Sequence, residues 1–118
     1  MSRSTLVALD DAERTGGWHL VRRALGLHAF GINVVRIAPG TSIPEHDETG
    51  RDQEEVFLTL AGSPTIVLDG ERAPLPVWTF ARVDPAVRRT VANDGDEEAV
   101  VLIASAPTTS GYEPMEWA

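Results

Sequence analysis

The feature that most limits what this chain can fold into is its punctuation: from Trp18 onward, runs rich in Val, Ile, Thr and aromatic residues are broken every eight to twelve residues by Gly, Pro, Asp or Asn. That rhythm leaves room for short strands but not for a long helix, and it is the rhythm of an all-β sandwich or barrel. The runs predict strands at Trp18 to Arg22, His28 to Ala38, Glu54 to Ala61, Thr65 to Leu68, Val77 to Val83, Arg89 to Ala92 and Ala99 to Ser105. Pro39-Gly40 closes the second run and Gly62-Ser63-Pro64 reverses the chain after the third. Asp69-Gly70 is a hairpin dipeptide, and Asn93-Asp94-Gly95-Asp96 joins the last two runs. Regular hairpins make neighbouring strands antiparallel. A single helical start precedes them, where Asp10 stands three residues before Glu13 as in a capping box and Gly16-Gly17 stops it; at most one short N-terminal helical turn is expected.

With 118 residues the chain fits one domain, its core running from about residue 18 to 106. Pro107 to Gly111 is small and polar and reads as a loop. Tyr112, Met115 and Trp117 then put apolar mass on a terminal segment, 107–118 with its loop, that is expected to dock on the domain or on a second subunit. That tail, with the open edges of a sandwich, predicts a homodimer. A net charge of −8 argues against nucleic acid, whose phosphates need a positive face. The longest apolar run, Ala99 to Ala104, is far too short to span a bilayer, and the first residues hold no apolar stretch of signal-peptide length. No membrane is expected as a partner, and the cytoplasm is the expected location. The sequence has no cysteine, so any metal must rely on histidine, carboxylate or water.

One segment, Pro39 to Gly62, concentrates a histidine and several carboxylates between a turn and a strand. In extended chain alternate side chains share a face, which puts His46 with Glu48 and aligns Glu55, Phe57 and Thr59 on one side of the next strand. Two readings are open from spacing alone. If the segments pair, His46, Glu48 and Glu55 form a site with an open position for iron, manganese, zinc or nickel. If they do not, Glu45, Asp47, Glu48, Asp52, Glu54 and Glu55 are a solvated acidic rim and His46 a surface histidine.

On these residues the chain resembles the cupin superfamily, whose first motif runs from a glycine through His-X-His and a glutamate to a second glycine. Gly40, five residues and His46 match its opening; Glu55, six residues and Gly62 match its close. The middle departs: Glu48 replaces the second histidine, and the six residues between Glu48 and Glu55 form a longer gap, with Thr49 to Asp52 reading as a widened hairpin loop. In the second motif Asn93 fills the final asparagine, and four places back Arg89 stands where the ligand histidine belongs. One residue of slippage would put Arg88 or Thr90 there instead. The resemblance covers about residues 31 to 104 and implies an antiparallel jelly roll. It supplies no reaction, since cupins include dioxygenases, isomerases, decarboxylases, epimerases, storage proteins and ligand sensors.

Arginine stays protonated and does not ligate metal, so the direction of Arg89 divides two outcomes. Pointing inward, it pairs with Glu48 and Glu55 and replaces the metal, leaving a polar pocket with His46 as proton donor or acceptor. Pointing outward, it leaves His46, Glu48 and Glu55 to a divalent ion. Trp78 and Phe80 alternate with Thr79 and Ala81, giving an aromatic face expected in the core, or walling the pocket with Phe57. His19 and His28 read as strand histidines rather than ligands, Arg36 is placed to face the pocket opposite Glu55, and Asp94 to Glu98 read as exposed charge. The function expected is binding of a small polar molecule. It is either a metal-dependent reaction of oxygenase or isomerase type or metal-free, non-catalytic sensing; an inert dimerisation unit is the third possibility.

Overall fold

The structure, a computed structural model, describes residues 3–118. Its strands are β1 (Arg14–Thr15), β2 (Trp18–His19), β3 (Gly31–Ile37), β4 (Gln53–Ala61), β5 (Thr65–Leu68), β6 (Glu71–Pro74), β7 (Phe80–Val83), β8 (Arg89–Ala92) and β9 (Ala99–Pro107), with one short helix, α1 (Val21–Leu25). They form a six-stranded sheet of order β1-β2-β3-β9-β4-β7 and a three-stranded sheet of order β6-β5-β8, all pairs antiparallel. The segment between β3 and β4 adds isolated bridges to β8, Ser42 opposite Ala92 and His46 opposite Arg89. This is the expected all-β jelly-roll sandwich.

Alternation along the strands builds the core. Glu55, Phe57 and Thr59 of β4 face inward beside Val101 and Ile103 of β9, and the small sheet answers with Ile66 and Val91. Leu75, Ile43 and Val83 close the gap between the layers. The Asp69-Gly70 hairpin has both residues at positive φ, +50° and +83°, the backbone of a type I′ turn, and pairs Leu68 with Glu71. Gly62 is required twice over. Its φ is +82°, and a Cβ there would lie 2.7 Å from the Glu98 carbonyl oxygen and 2.8 Å from Ala99 Cα.

Several expectations are corrected. Residues 21–25 are helical where a strand to Arg22 was expected; Gly26 ends the helix at φ +68°, its N–H shared between the Arg22 and Arg23 carbonyls. The Asp10 to Glu13 pattern yields only a 3₁₀ turn at Leu9–Asp11, without a side-chain cap. Glu71–Pro74, exposed throughout, forms a strand that no apolar pattern announces. The turns at Gly62-Ser63-Pro64 and Asn93 to Asp96 carry the chain from one sheet to the other instead of closing hairpins.

The strand expected at Val77 to Val83 starts only at Phe80, because Trp78 takes a positive φ of 64°. Trp78 and Phe80 are therefore not core: they are 70% and 66% exposed, and neither lines the cavity described below. In the tail, Tyr112, Met115 and Trp117 are all exposed. Among the described residues no helix is long and apolar enough to cross a membrane.

Thr59 is fully buried on the inner row it shares with Val101, Val35 and Trp18, and its hydroxyl has no hydrogen-bond partner. Thr59→Val keeps the shape and removes the orphaned hydroxyl. We expect it to stabilise the fold by about 1 kcal/mol, read as a raised denaturant midpoint at unchanged slope.

Candidate functional site

The site lies where the β3–β4 segment crosses β8 and faces β4. His46 and Arg89 exchange both backbone hydrogen bonds, His46 N–H to the Arg89 carbonyl at 3.0 Å and the reverse at 2.8 Å. As an antiparallel pair they project to the same side, toward Glu55 on β4. Ligand atoms of His46, Glu48 and Glu55 lie within 4.8 Å of one another, and Glu48 and Glu55 are both buried. The three residues do converge, and the solvated-rim reading does not describe them.

Arg89 points inward and is completely buried. Its guanidinium donates to Glu55 Oε1 at 2.5 Å, to the Asp84 carbonyl at 2.6 Å and, through Nε, to the Val87 carbonyl at 2.9 Å. The register is thereby decided. Arg88 instead reaches Glu45 in solvent, and Thr90 donates its hydroxyl to the Ile43 carbonyl. Asn93 is structural: its amide holds the Ile37 and Glu97 carbonyls, and its oxygen takes the Gly95 N–H.

Glu48 does not meet Arg89. It is held from outside by Arg51, whose Nη2 reaches both carboxylate oxygens at 2.8 and 3.2 Å while the Arg51 side chain stays 74% exposed. Asp47 shapes the same loop by accepting from the Thr49 N–H and hydroxyl; these bonds hold its carboxyl below the usual range. On His46, Nδ1 lies 3.0 Å from the Pro44 carbonyl, which can only accept, so Nδ1 carries the proton. Nε2 is left facing Glu48 Oε1 at 3.8 Å.

Burial raises the Glu55 pKa above the ordinary carboxylate value, and Glu48 adds to this while Arg89 pulls the other way. The folded state thus binds this proton more tightly than the unfolded chain. The stabilisation that follows is complete below the unfolded pKa and is lost as pH rises through the folded one.

Above these groups lies a cavity of about 310 Å³. Trp18, Ile43, Phe57 and Ile103 supply apolar wall, while Asn33, Ser105, Arg22 and Arg51 join the three site residues as polar lining. Gly31 leaves room there, since a Cβ would meet Ser105 Oγ at 2.7 Å. Phe57 lines this cavity, whereas Trp78 and Phe80 do not. Asn33, Ser105 and Arg51 were missed. The first two had a signal, being polar residues at inward positions of otherwise apolar strands; Arg51 sits in the loop insertion, where only contact with Glu48 reveals it. Arg36 does not face Glu55: it donates to His19 Nε2 at 2.9 Å and to Glu98 at 3.1 Å. His19 is fully buried, with Nδ1 donating to the Leu9 carbonyl, and His28 is exposed; neither joins the site.

A family model, the cupin domain, matches residues 33–105. The chain belongs to the cupin family. Among solved structures it is similar to a cupin protein from Bacteroides fragilis, at 19% identity and TM-score 0.82, covering 99% of this chain and 94% of that one. A sugar phosphate isomerase of the cupin superfamily from Silicibacter pomeroyi matches at 22% identity and TM-score 0.73, covering 88% and 76%. A predicted oxalate decarboxylase from Thermotoga maritima matches at 17% identity and TM-score 0.60, covering 65% of each chain. At these identities the likeness is one of fold. No curated protein matches the sequence.

The Arg89–Glu55 pair gives a double-mutant test. Arg89→Met or Glu55→Met alone leaves one charge buried without its partner and is expected to cost about 3–5 kcal/mol. The double variant is expected to recover most of that loss, so that the coupling measured by chemical denaturation is large. Additive losses would show that the pair is not a unit.

Proposed function

We propose that this cupin domain binds a small polar molecule in the His46–Glu48–Glu55 pocket without requiring a metal ion. The observation that carries this reading is Arg89: a permanent, fully buried cation stands where the second motif would place a metal ligand, and its partner is Glu55. Each carboxylate already has a guanidinium, Glu48 with Arg51 and Glu55 with Arg89, so the charges balance without an added ion.

A ligand offering hydroxyl or amine hydrogens suits the carboxylates, while Trp18, Phe57 and Ile103 suit its carbon skeleton. His46 Nε2, beside Glu48 and open to the cavity, is placed to take or return a proton. Of the two reaction types considered, a proton-shifting, isomerase-type step is therefore the one these side chains supply by themselves. Binding without turnover uses the same contacts. The missing cysteines are compatible with the cytoplasm.

A second reading has its own support in the convergence of His46, Glu48 and Glu55 within 4.8 Å. An imidazole and two carboxylates are donors that fit a divalent iron, manganese, zinc or nickel ion, and these three residues would hold it. Such an ion would supply Lewis-acid chemistry. Glu48 is the readier ligand, because exposed Arg51 can leave it, whereas Arg89 is locked on Glu55.

One experiment separates the two. Protein purified without a histidine tag is reloaded with each metal, analysed for metal content, and screened for thermal shifts against small hydroxylated, amino and carboxylated metabolites. We expect less than about one tenth of an equivalent of any transition metal. We also expect at least one metabolite to raise Tm by several degrees by mass action, an effect lost in Glu48→Ala. Near-stoichiometric metal that disappears in His46→Ala would overturn the metal-free reading in favour of the second.

A further inference from the structure

The chain carries its side-chain positive charge on arginine alone, 10 residues against 18 aspartates and glutamates. With acids in such excess a surface guanidinium has carboxylates to choose from, and most here have found one. Arg23 pairs with Glu13, Arg72 with Asp94, Arg82 with Glu54 and Asp84, and Arg88 with Glu45. Arg22 has not. Among the described residues its exposed side chain makes one hydrogen bond, from Nη1 to the Leu27 carbonyl at 3.1 Å, and no ion pair. That guanidinium lines the cavity above His46, Glu48 and Glu55.

The other exposed cation of the same cavity is Arg51, on the loop between Glu48 and β4. Its Nη2 contacts both oxygens of Glu48, yet the side chain is 74% exposed, and an ion pair with so exposed a member is weak and exchanges readily. The backbone beneath it is fixed. Asp52, at a φ of +51°, is pinned just past the end of β9: its carbonyl takes the Thr108 N–H at 3.0 Å and its carboxylate takes the Thr108 hydroxyl. Arg51 is therefore a movable side chain on an anchored loop.

We propose that the small molecule taken by this pocket carries an oxyanion group, carboxylate or phosphate, at one end and hydroxyl or amino hydrogens at the other, an inference that rests on the binding role assigned to the pocket above. The oxyanion lies at the cavity mouth between Arg22 and Arg51, whose planar forks match either group. Arg51 turns to it and gives up Glu48. Glu48, so released, accepts from the hydroxyl or amino end beside His46. Charge stays balanced through the exchange, because Arg51 trades one anion for another and Arg22 gains the anion it lacks. Long-range attraction does not make this selection, since a net charge of −8 repels anions; the two guanidiniums act at contact distance.

The test is titration calorimetry of the full chain with matched pairs of probes that differ in the oxyanion alone. Lactate with lactamide and serine with serinamide report a carboxylate, and glycerol 3-phosphate with glycerol reports a phosphate. In at least one pair the anionic member is expected to bind at least about 10-fold tighter than its counterpart. Arg22→Gln and Arg51→Gln, both at exposed positions, are each expected to remove that preference, weakening the anionic member about 10- to 100-fold and the counterpart little. Arg22→Lys is expected to recover part of it. Arg23→Gln removes the same charge one residue away, from an arginine held by Glu13 outside the cavity, and is expected to leave both affinities unchanged. Counterparts that bind as tightly as the anions, a preference untouched by Arg22→Gln, or one lost equally in Arg23→Gln would overturn the inference while the pocket's binding role stands. Silence from every probe, with thermal-shift hits that all lack an oxyanion, would do the same. Silence in both assays would end the binding role as well.

Discussion

A guanidinium taken out of water costs several kcal/mol unless its donors are met, and the interior of this protein is arranged around meeting those of Arg89. The two neighbours in the turn before β8 give their carbonyls, Asp84 and Val87, and Glu55 gives its carboxylate from the opposite layer. Because β8 belongs to the small sheet and β4 to the large one, the ion pair ties the two layers together at one end of the core. Where Arg89 goes, His46 follows, since the two are a hydrogen-bonded backbone pair.

The pocket grows out of that tie. Glu55 is fixed by Arg89 and raised in pKa by burial, and Glu48 leans in from a loop that Asp47 folds and Arg51 clamps from the solvent side. One carboxylate is thus held rigidly from behind and the other by an exposed side chain that ligand can displace. His46, with its Nδ1 proton committed to Pro44, keeps Nε2 turned toward that movable carboxylate. The apolar wall beneath is the continuation of the same inward-facing rows that make the core.

Much of the fold was legible because its signals are local. Thr65–Leu68 and Arg89–Ala92 form strands with the boundaries their patterns gave, and Asp69-Gly70 makes the tight hairpin that its φ preferences demand. Failures came where a local signal was weak or overruled. Trp78 and Phe80 read as core by alternation, yet alternation says only that two faces differ, not which one meets the other sheet. Once Glu55 and Phe57 face inward, pairing of Leu58 with Phe80 forces the aromatic outward. Val21 and Leu25 have strand-like composition but fit a single helical turn closed by Gly26. The convergence of His46, Glu48 and Glu55 followed from spacing and pairing, while Arg51, Asn33 and Ser105 became visible only through contacts between distant segments.

By itself the sequence determined the strand rhythm, the turns and the presence of a histidine and two glutamates at positions that alternate correctly, because backbone preference and period-two burial act over a few residues. Whether Arg88, Arg89 or Thr90 enters the interior, which face of β7 is wet, and whether the turns after β4 and β8 close hairpins or cross between layers were decided by the tertiary structure alone. Those outcomes depend on register between segments tens of residues apart, and a one-residue slip there reverses every side chain.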